Sequence, residues 1–372
     1  MRIAIHAADL DHERIDGTRV YLFSMLKNFG KISAQDSFIV YHRNDFNPEL
    51  TPPNFANYLF KKIPFPKFWT QTRFAWQLFW DNPRVLWMPV HNLPRWRRKK
   101  MKTVVTVHDL AFKIFPQYFP EQELIKLNRL GDYAIENADH LIAVSQATRH
   151  DLLKFFPTIP AEKIKVIPHG FDGQLFQQNF SENKNEEILK NYQLKAKSYL
   201  LYVGAIQPRK NLMVLIEAFE KIKKNRLELK LVLAGAPAWN FQEILQKIKD
   251  SVFAEDIVVT DKLPFEILPA LYRNAAVFVF PSLYEGFGIP VLEAMSCGAP
   301  TILANKSSLP EVGGQAALYF EANNVEELLT CLEKVLSDEN LRQRMIAKGL
   351  EQAQKFSWEK CAQETLEFIK RF

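Results

Sequence analysis

A chain of 372 residues and 43.2 kDa is about twice the size of a typical domain, which excludes a single small module and predicts two domains with separate cores. Hydrophobic residues make up 47 % and charged residues 24 %, a balance that excludes a disordered or fibrous chain. The net charge of +6 is unevenly spread: residues 61–102 hold eleven lysines and arginines against Asp81 alone, together with five of the seven tryptophans, a mixture suited to an anionic surface such as lipid headgroups or nucleic acid.

In chain order, short β-branched runs alternate with amphipathic helical stretches, in two series. The first series predicts strands at 3–7, 37–42, 85–90, 103–108, 141–145 and 165–168, with helices near 18–30, 69–80, 121–138 and 146–156. Such alternation predicts a parallel sheet covered on both faces. After the polar segment 181–197, a second series predicts strands at 199–204, 230–235, 257–261, 277–282, 301–305 and 318–320. The expected fold class is therefore α/β, with two doubly wound domains covering 1–180 and 181–356. Their ligand belongs at the carboxyl ends of the strands, in the cleft between them. The tail, 324–372, has apolar residues three and four apart throughout, and its last helix, about 357–372, is expected to return to the first domain.

No apolar run reaches the roughly 18–20 residues a membrane span requires. The opening MRIAIHAADLDHERID meets acidic residues too early for a signal peptide, so a cytoplasmic location is expected. Cys297, Cys331 and Cys361 are odd in number and far apart, which predicts reduced, buried thiols and neither a disulfide framework nor a zinc site.

The stretch PSLYEGFGIPVLEAMSCGAPTI, 281–302, reads as a strand end, a turn with two glycines and a helix beginning near Pro290. Gly286 and Gly288 let backbone approach a bulky anion, and the N–H groups of a helix start attract phosphate. Glu285 lies in the loop and Glu293 about one turn inside the helix. A carboxylate accepts two hydrogen bonds, which suits vicinal sugar hydroxyls. On spacing alone, a buried loop with a solvated Glu293 is an equal reading.

The E-x7-E pattern formed by Glu285 and Glu293 resembles the signature of the retaining nucleotide-sugar glycosyltransferases of family 4, which have the GT-B architecture of two Rossmann-like domains. The segments 200–219, 140–156, 163–172 and 268–282 are similar to that family as well. The resemblance covers most of residues 100–322 and is weaker over 30–100. It implies that Glu293 binds the nucleotide ribose, that Glu285 binds the donor-sugar hydroxyls, and that the backbone at Phe287, Gly288 and Ile289 meets the diphosphate or sugar. Arg209 and Lys210 would neutralise the leaving diphosphate, although many members carry an arginine at the position of Ala205. In the first domain the resemblance implies that His108 contacts the donor sugar and that Gly17, where members usually have two glycines, closes over the diphosphate. His91 and His169 are given no role, and Ser145 reads as a helix N-cap. The nucleotide base is expected near 261–265.

Asp9 and Asp11 have metal-ligand spacing but follow the first strand at the wrong place for a metal-diphosphate site, and no metal and no cofactor is expected. The resemblance implies a metal-independent retaining hexosyltransferase of polysaccharide assembly, with GDP-mannose or another nucleotide-diphosphate sugar as donor and a glycan or lipid-linked saccharide as acceptor. Residues 61–102 are then expected to rest on the anionic inner face of the cell membrane; the alternative for them is a core helix followed by a solvated basic loop. Alternatives for the whole chain are another GT-B enzyme, such as an epimerase, and a non-enzymatic basic protein binding an anionic surface. No recognised nucleic-acid motif accompanies the basic stretch, so no nucleic-acid partner is expected.

Overall fold

The computed structural model describes residues 1–13, 15–178 and 182–372, with side chains omitted for 182–185. The chain forms two compact units. One comprises Met1–Ile114, Glu121–Gly170 and Trp358–Phe372, the other Phe115–Pro120 and Phe171–Ser357. They part at Gly170 and Phe171, before the expected boundary at 180/181, which lies outside the described residues.

The first unit is built on a parallel sheet of seven strands, β1 (Arg2–His6), β2 (Ser37–His42), β3 (Tyr58–Lys62), β4 (Val85–Met88), β5 (Lys102–Val107), β6 (His140–Ala143) and β7 (Ile164–Val166), in the order β3-β2-β1-β4-β5-β6-β7. β1 is central and apolar. Ile3 registers with Phe38 on one side and with Val85 on the other, and all three are fully buried. β3 is an addition to the expected strands. Its sequence, YLFKK, mixes aromatics with lysines because it is the sheet edge, where Leu59 stays 46 % exposed and charged side chains discourage further pairing.

The helix Gly17–Ile32 buries Tyr21, Leu22, Met25, Leu26 and Phe29. It packs against the last helix, Trp358–Ile369, which returns to this unit and buries Trp358, Cys361, Ala362, Leu366 and Ile369. The tail is three helices, Val325–Ser337, Glu339–Ala353 and Trp358–Ile369. Asp338 ends the first and caps the second, its side chain accepting from Leu341 N.

The second unit has a parallel sheet of six strands, β8 (Tyr199–Val203), β9 (Lys230–Ala234), β10 (Ile257–Val259), β11 (Val277–Phe280), β12 (Thr301–Ala304) and β13 (Ala317–Phe320), in the order β10-β9-β8-β11-β12-β13. In both sheets the strand order reverses once, between β1 and β4 and between β8 and β11, and such a switch point opens a crevice at the carboxyl ends. Beside the second one, β8 and β9 end in glycines with left-handed φ: Gly204 at 151° and Gly235 at 155°. A Cβ on Gly235 would lie 2.0 Å from Gly204 O, so the close approach of these strand ends admits no side chain there. Cys297 and Cys361 are buried and reduced as expected; Cys331 differs, being half-buried on the outer helix Val325–Ser337, with Sγ 3.6 Å from Tyr319 O.

Candidate active site

In the second unit, the connection after β11 turns through Gly288, at φ 107° and ψ 52°, directly into the helix Ile289–Ser296. Pro290 sits in the first turn, where a missing N–H costs nothing. Phe287 is buried edge-to-face against Phe356, with ring centroids 5.7 Å apart, so its side chain anchors the turn. The loop is fastened by two serines after β12. Ser307 Oγ donates to Glu285 O at 2.5 Å. Ser308 Oγ lies 2.7 Å from Phe287 O and 3.0 Å from Glu285 O, and its one proton serves one carbonyl at a time. Neither serine stood out in the sequence, where a serine pair in a loop carries no signal.

Lys210 and Arg209 come from a single turn of 3₁₀ helix, Pro208–Lys210, in the connection after β8. Lys210 is not a solvated helix-start residue. It is buried, with Nζ 2.5 Å from Glu285 Oε1 and 5.4 Å from the centroid of the Phe280 ring. Arg209 Nη1 lies 3.6 Å from Glu285 Oε2 and donates to Tyr284 O. At the family's arginine position, the Ala205 carbonyl accepts from Tyr202 Oη at 2.9 Å. The two cations and Glu285 therefore meet at the β8/β11 switch point. Burial pushes the Glu285 carboxyl up, but Lys210 and Arg209 outweigh it and hold it below the ordinary glutamate value.

Glu293, the fifth residue of the helix Ile289–Ser296, is also buried. Among the described residues it has no ion pair, and burial, with the charge of Asp172, pushes its carboxyl up to about 7 against a hydrogen bond from Tyr272 Oη to its Oε2 at 2.9 Å. The two glutamates of the motif thus differ in kind, Glu285 held ionised and Glu293 poised near neutrality. Tyr272, on the helix Leu268–Asn274, is a further residue that sequence reasoning missed, since a lone tyrosine on an apolar helix reads as core.

In the first unit, His108 directly follows β5, half-buried. Its Nε2 lies 2.8 Å from Pro89 O, at the end of β4. A carbonyl can only accept, so Nε2 carries the proton and Nδ1 the lone pair. Burial pushes the ring's pKa down to about 4, which keeps it neutral at pH 7. His169, given no role from the sequence, is a packed ring. It is buried, stacks on Tyr21 with centroids 4.8 Å apart, and lies 5.2 Å from the His108 ring. His91 stacks on Phe112 at 5.6 Å. Gly17 begins the helix after β1, and the start of that helix is already occupied by a carboxylate: Asp16 Oδ1 accepts from Arg19 N at 3.2 Å, and Arg19 Nη1 folds back onto Asp16 Oδ2. Ser145 caps its helix as expected, accepting from Thr148 N at 3.0 Å. Asp11 is committed to Arg43, 3.2 Å away, and to Asn44 at 2.8 Å.

Residues 16–175 match the profile Glycosyltransferase Family 4, and residues 183–352 match Glycosyl transferases group 1. The chain is 33 % identical over 270 residues to O-antigen chain mannosyltransferase B of Escherichia coli, an alignment covering 72 % of this chain and 70 % of that one. The chain belongs to the family 4 glycosyltransferases. It is also 30 % identical over 290 residues to the serotype-specific mannosyltransferase WbdA of Escherichia coli, covering 76 % of this chain but only 34 % of that longer one. Among solved structures, sucrose-phosphate synthase of Thermosynechococcus elongatus matches with a TM-score of 0.78 at 19 % identity, over 100 % of this chain and 98 % of that one. HepE of Anabaena in complex with UDP-glucose matches with 0.78 at 16 %, over 100 % of both chains. At these identities the likeness concerns the fold, the GT-B arrangement of two parallel-sheet Rossmann-like units. Family membership sets aside the reading of a non-enzymatic basic module, and the chain is a glycosyltransferase.

Proposed function

We propose that the protein transfers a mannosyl group, with retention of anomeric configuration, from GDP-mannose to a hydroxyl of a glycan or lipid-linked saccharide. The Lys210–Glu285 contact beside Arg209 carries this reading, because it sets paired cations next to a carboxylate at the mouth of a helix N-terminus. The mannosyltransferase names of the relatives support the choice of sugar. Glu293 holds the ribose hydroxyls and Glu285 those of the sugar, while the backbone of Phe287, Gly288 and Ile289 receives the diphosphate at the helix start. His108, neutral and with Nε2–H committed to Pro89, offers Nδ1 as an acceptor to a sugar hydroxyl. Gly17 contributes at most its backbone, since Asp16 already caps that helix.

In the reaction the bond between the anomeric carbon and the diphosphate oxygen breaks, and the acceptor oxygen bonds to the same face of the sugar. The acceptor's proton passes to the departing phosphate oxygen. Lys210 and Arg209 stabilise the charge that develops on that oxygen, as a preorganised pair in a buried site does. We assign this task to the two side chains and the helix start, with neither a bound metal nor an organic cofactor. No helix among the described residues is long and apolar enough to cross a membrane. We place the protein at the cytoplasmic face of a membrane, held through the basic, tryptophan-rich residues 61–102 and with no nucleic-acid partner. An epimerase on the same fold is not favoured by the mannosyltransferase relatives.

A thermal-shift series with GDP, UDP, ADP and dTDP and their sugars, with and without magnesium, tests the donor. Stabilisation by GDP and GDP-mannose without metal is expected; selective stabilisation by another nucleotide would reassign the donor.

A further inference from the structure

Residues 61–102 do not act as one basic stretch, because the fold engages most of their cations, three of them with carboxylates. Lys61 pairs with Asp81 at 2.5 Å, Lys62 with Asp45 at 2.7 Å and Lys102 with Asp139 at 3.3 Å, while Arg84 Nε donates to Phe372 O at 2.9 Å. Lys67, Lys99 and Lys100 are exposed and have no partner among the described residues. The single carboxylate of the stretch, Asp81, is half-hidden behind Lys61, Tyr41 and Gln77.

The aromatics divide as well. Trp69 and Trp87 are buried. The helix Arg73–Asp81 turns Phe74, Ala75 and Leu78 inward, yet its other side presents Trp76 and Trp80, 52 % and 63 % exposed. These are one turn apart, with ring centroids separated by 5.9 Å. Trp96, 47 % exposed, comes in from the loop after β4. Its ring lies 6.2 Å from Trp76 and stacks on Phe79 at 4.7 Å. Arg98 holds the underside, with its guanidinium 4.4 Å from the Phe79 ring centroid and Nε donating to Phe79 O at 2.8 Å. Single exposed apolar residues are ordinary, but three indoles gathered by packing into one patch mark an interaction surface.

We infer that Trp76, Trp80 and Trp96 form a wedge that enters the interface of an anionic lipid leaflet, with Lys99 and Lys100 on its headgroup side. The inference rests on the membrane reading above and narrows it to one face of the first unit. Indole rings favour the headgroup level of a bilayer, apolar body inward and N–H toward water. The unpaired lysines choose the partner: a neutral sugar chain gains little from them, whereas an anionic leaflet attracts each one. Docking is then partly apolar, and it resists salt better than a purely electrostatic contact would.

The test uses the full chain with vesicles of phosphatidylcholine alone or with about one-third phosphatidylglycerol, at low and high salt, read by co-sedimentation. Quenching of tryptophan fluorescence by brominated lipid reads insertion in the unmutated protein. Quenching on anionic vesicles is expected. Trp76→Ser/Trp80→Ser/Trp96→Ser should lower partitioning roughly tenfold or more. Lys99→Glu/Lys100→Glu should lower it by a similar factor and remove its residual salt dependence. Both variants should keep the wild-type melting temperature and transfer to a water-soluble acceptor. Binding to anionic vesicles without quenching, and undiminished in the tryptophan variant, would overturn the wedge and leave membrane docking standing. Absence of the unmutated protein from both vesicle types would overturn both. Tryptophan-dependent binding to soluble mannan in place of vesicles would make the patch a glycan platform and overturn the wedge equally.

Discussion

Lys210 Nζ and Glu285 Oε1 stand 2.5 Å apart although their residues are 75 positions apart in the chain. Each is the principal compensation for the other's buried charge. Lys210→Ala should therefore cost about 3 kcal/mol of stability, by taking the nearer of two cations from Glu285, and should lower turnover by roughly 10²–10⁴-fold through loss of leaving-group stabilisation. Lys210→Ala/Glu285→Ala should regain most of the stability and none of the turnover. Melting temperature and single-turnover rate, measured on the same preparations, separate the two effects.

Glu293, with its carboxyl raised to about 7, binds a proton more tightly in the folded chain than in the unfolded one. Its contribution to stability is fully present below the ordinary glutamate value and is lost as pH rises toward 7 and beyond. Glu293→Gln should consequently raise the melting temperature at pH 8, by an amount reflecting at most about 3 kcal/mol, and change it little at pH 4.5. Nucleotide-sugar affinity should fall at both. Donor titrations at the two pH values, alongside thermal melts, check the pairing of gained stability with lost binding.

Gly235→Ala places a methyl group 2.0 Å from the Gly204 carbonyl oxygen at a left-handed φ. Backbone must move at the ends of both β8 and β9, so a loss on the order of 3 kcal/mol is expected. Soluble yield and urea midpoint report it; a variant as stable as the wild type would mean that these strand ends are looser than described.

Trp358 is 6 % exposed, and its ring lies 5.7 Å from His169 and 6.1 Å from Tyr21. Trp358→Ala should cost about 3–5 kcal/mol, and removing residues 358–372 should leave the first unit unable to fold. Hydrogen exchange in the helix Gly17–Ile32 should rise sharply in the point variant, because the last helix packs directly on it.

Periodicity alone carried most of the architecture. Runs such as VLWM and TILA, buried at every position, are legible as parallel-sheet strands because such strands are covered on both faces. The helix start at Pro290 and the spacing of Glu285 and Glu293 were equally plain. β3 was not, because an edge strand is half solvated and carries lysines. The division at Gly170 was not either, nor was the assignment of Phe115–Pro120 to the second unit, where Phe119 packs 5.3 Å from Trp239. Contacts between distant residues leave no local periodicity to read.

The chain by itself therefore determined its two parallel sheets and its helical tail, since these follow from local patterning, and it carried the spacing of Glu285 and Glu293 on which the family resemblance rests. Tertiary structure alone decided the protonation of that pair. Glu285 and Glu293 are the same residue type eight positions apart, yet one is held ionised by cations from the connection after β8 and the other is raised by burial against Tyr272. It also decided that three of five tryptophans face outward and that three of the neighbouring lysines are paired with carboxylates. Burial and pairing depend on which distant segments come to lie alongside, and folding alone brings them there.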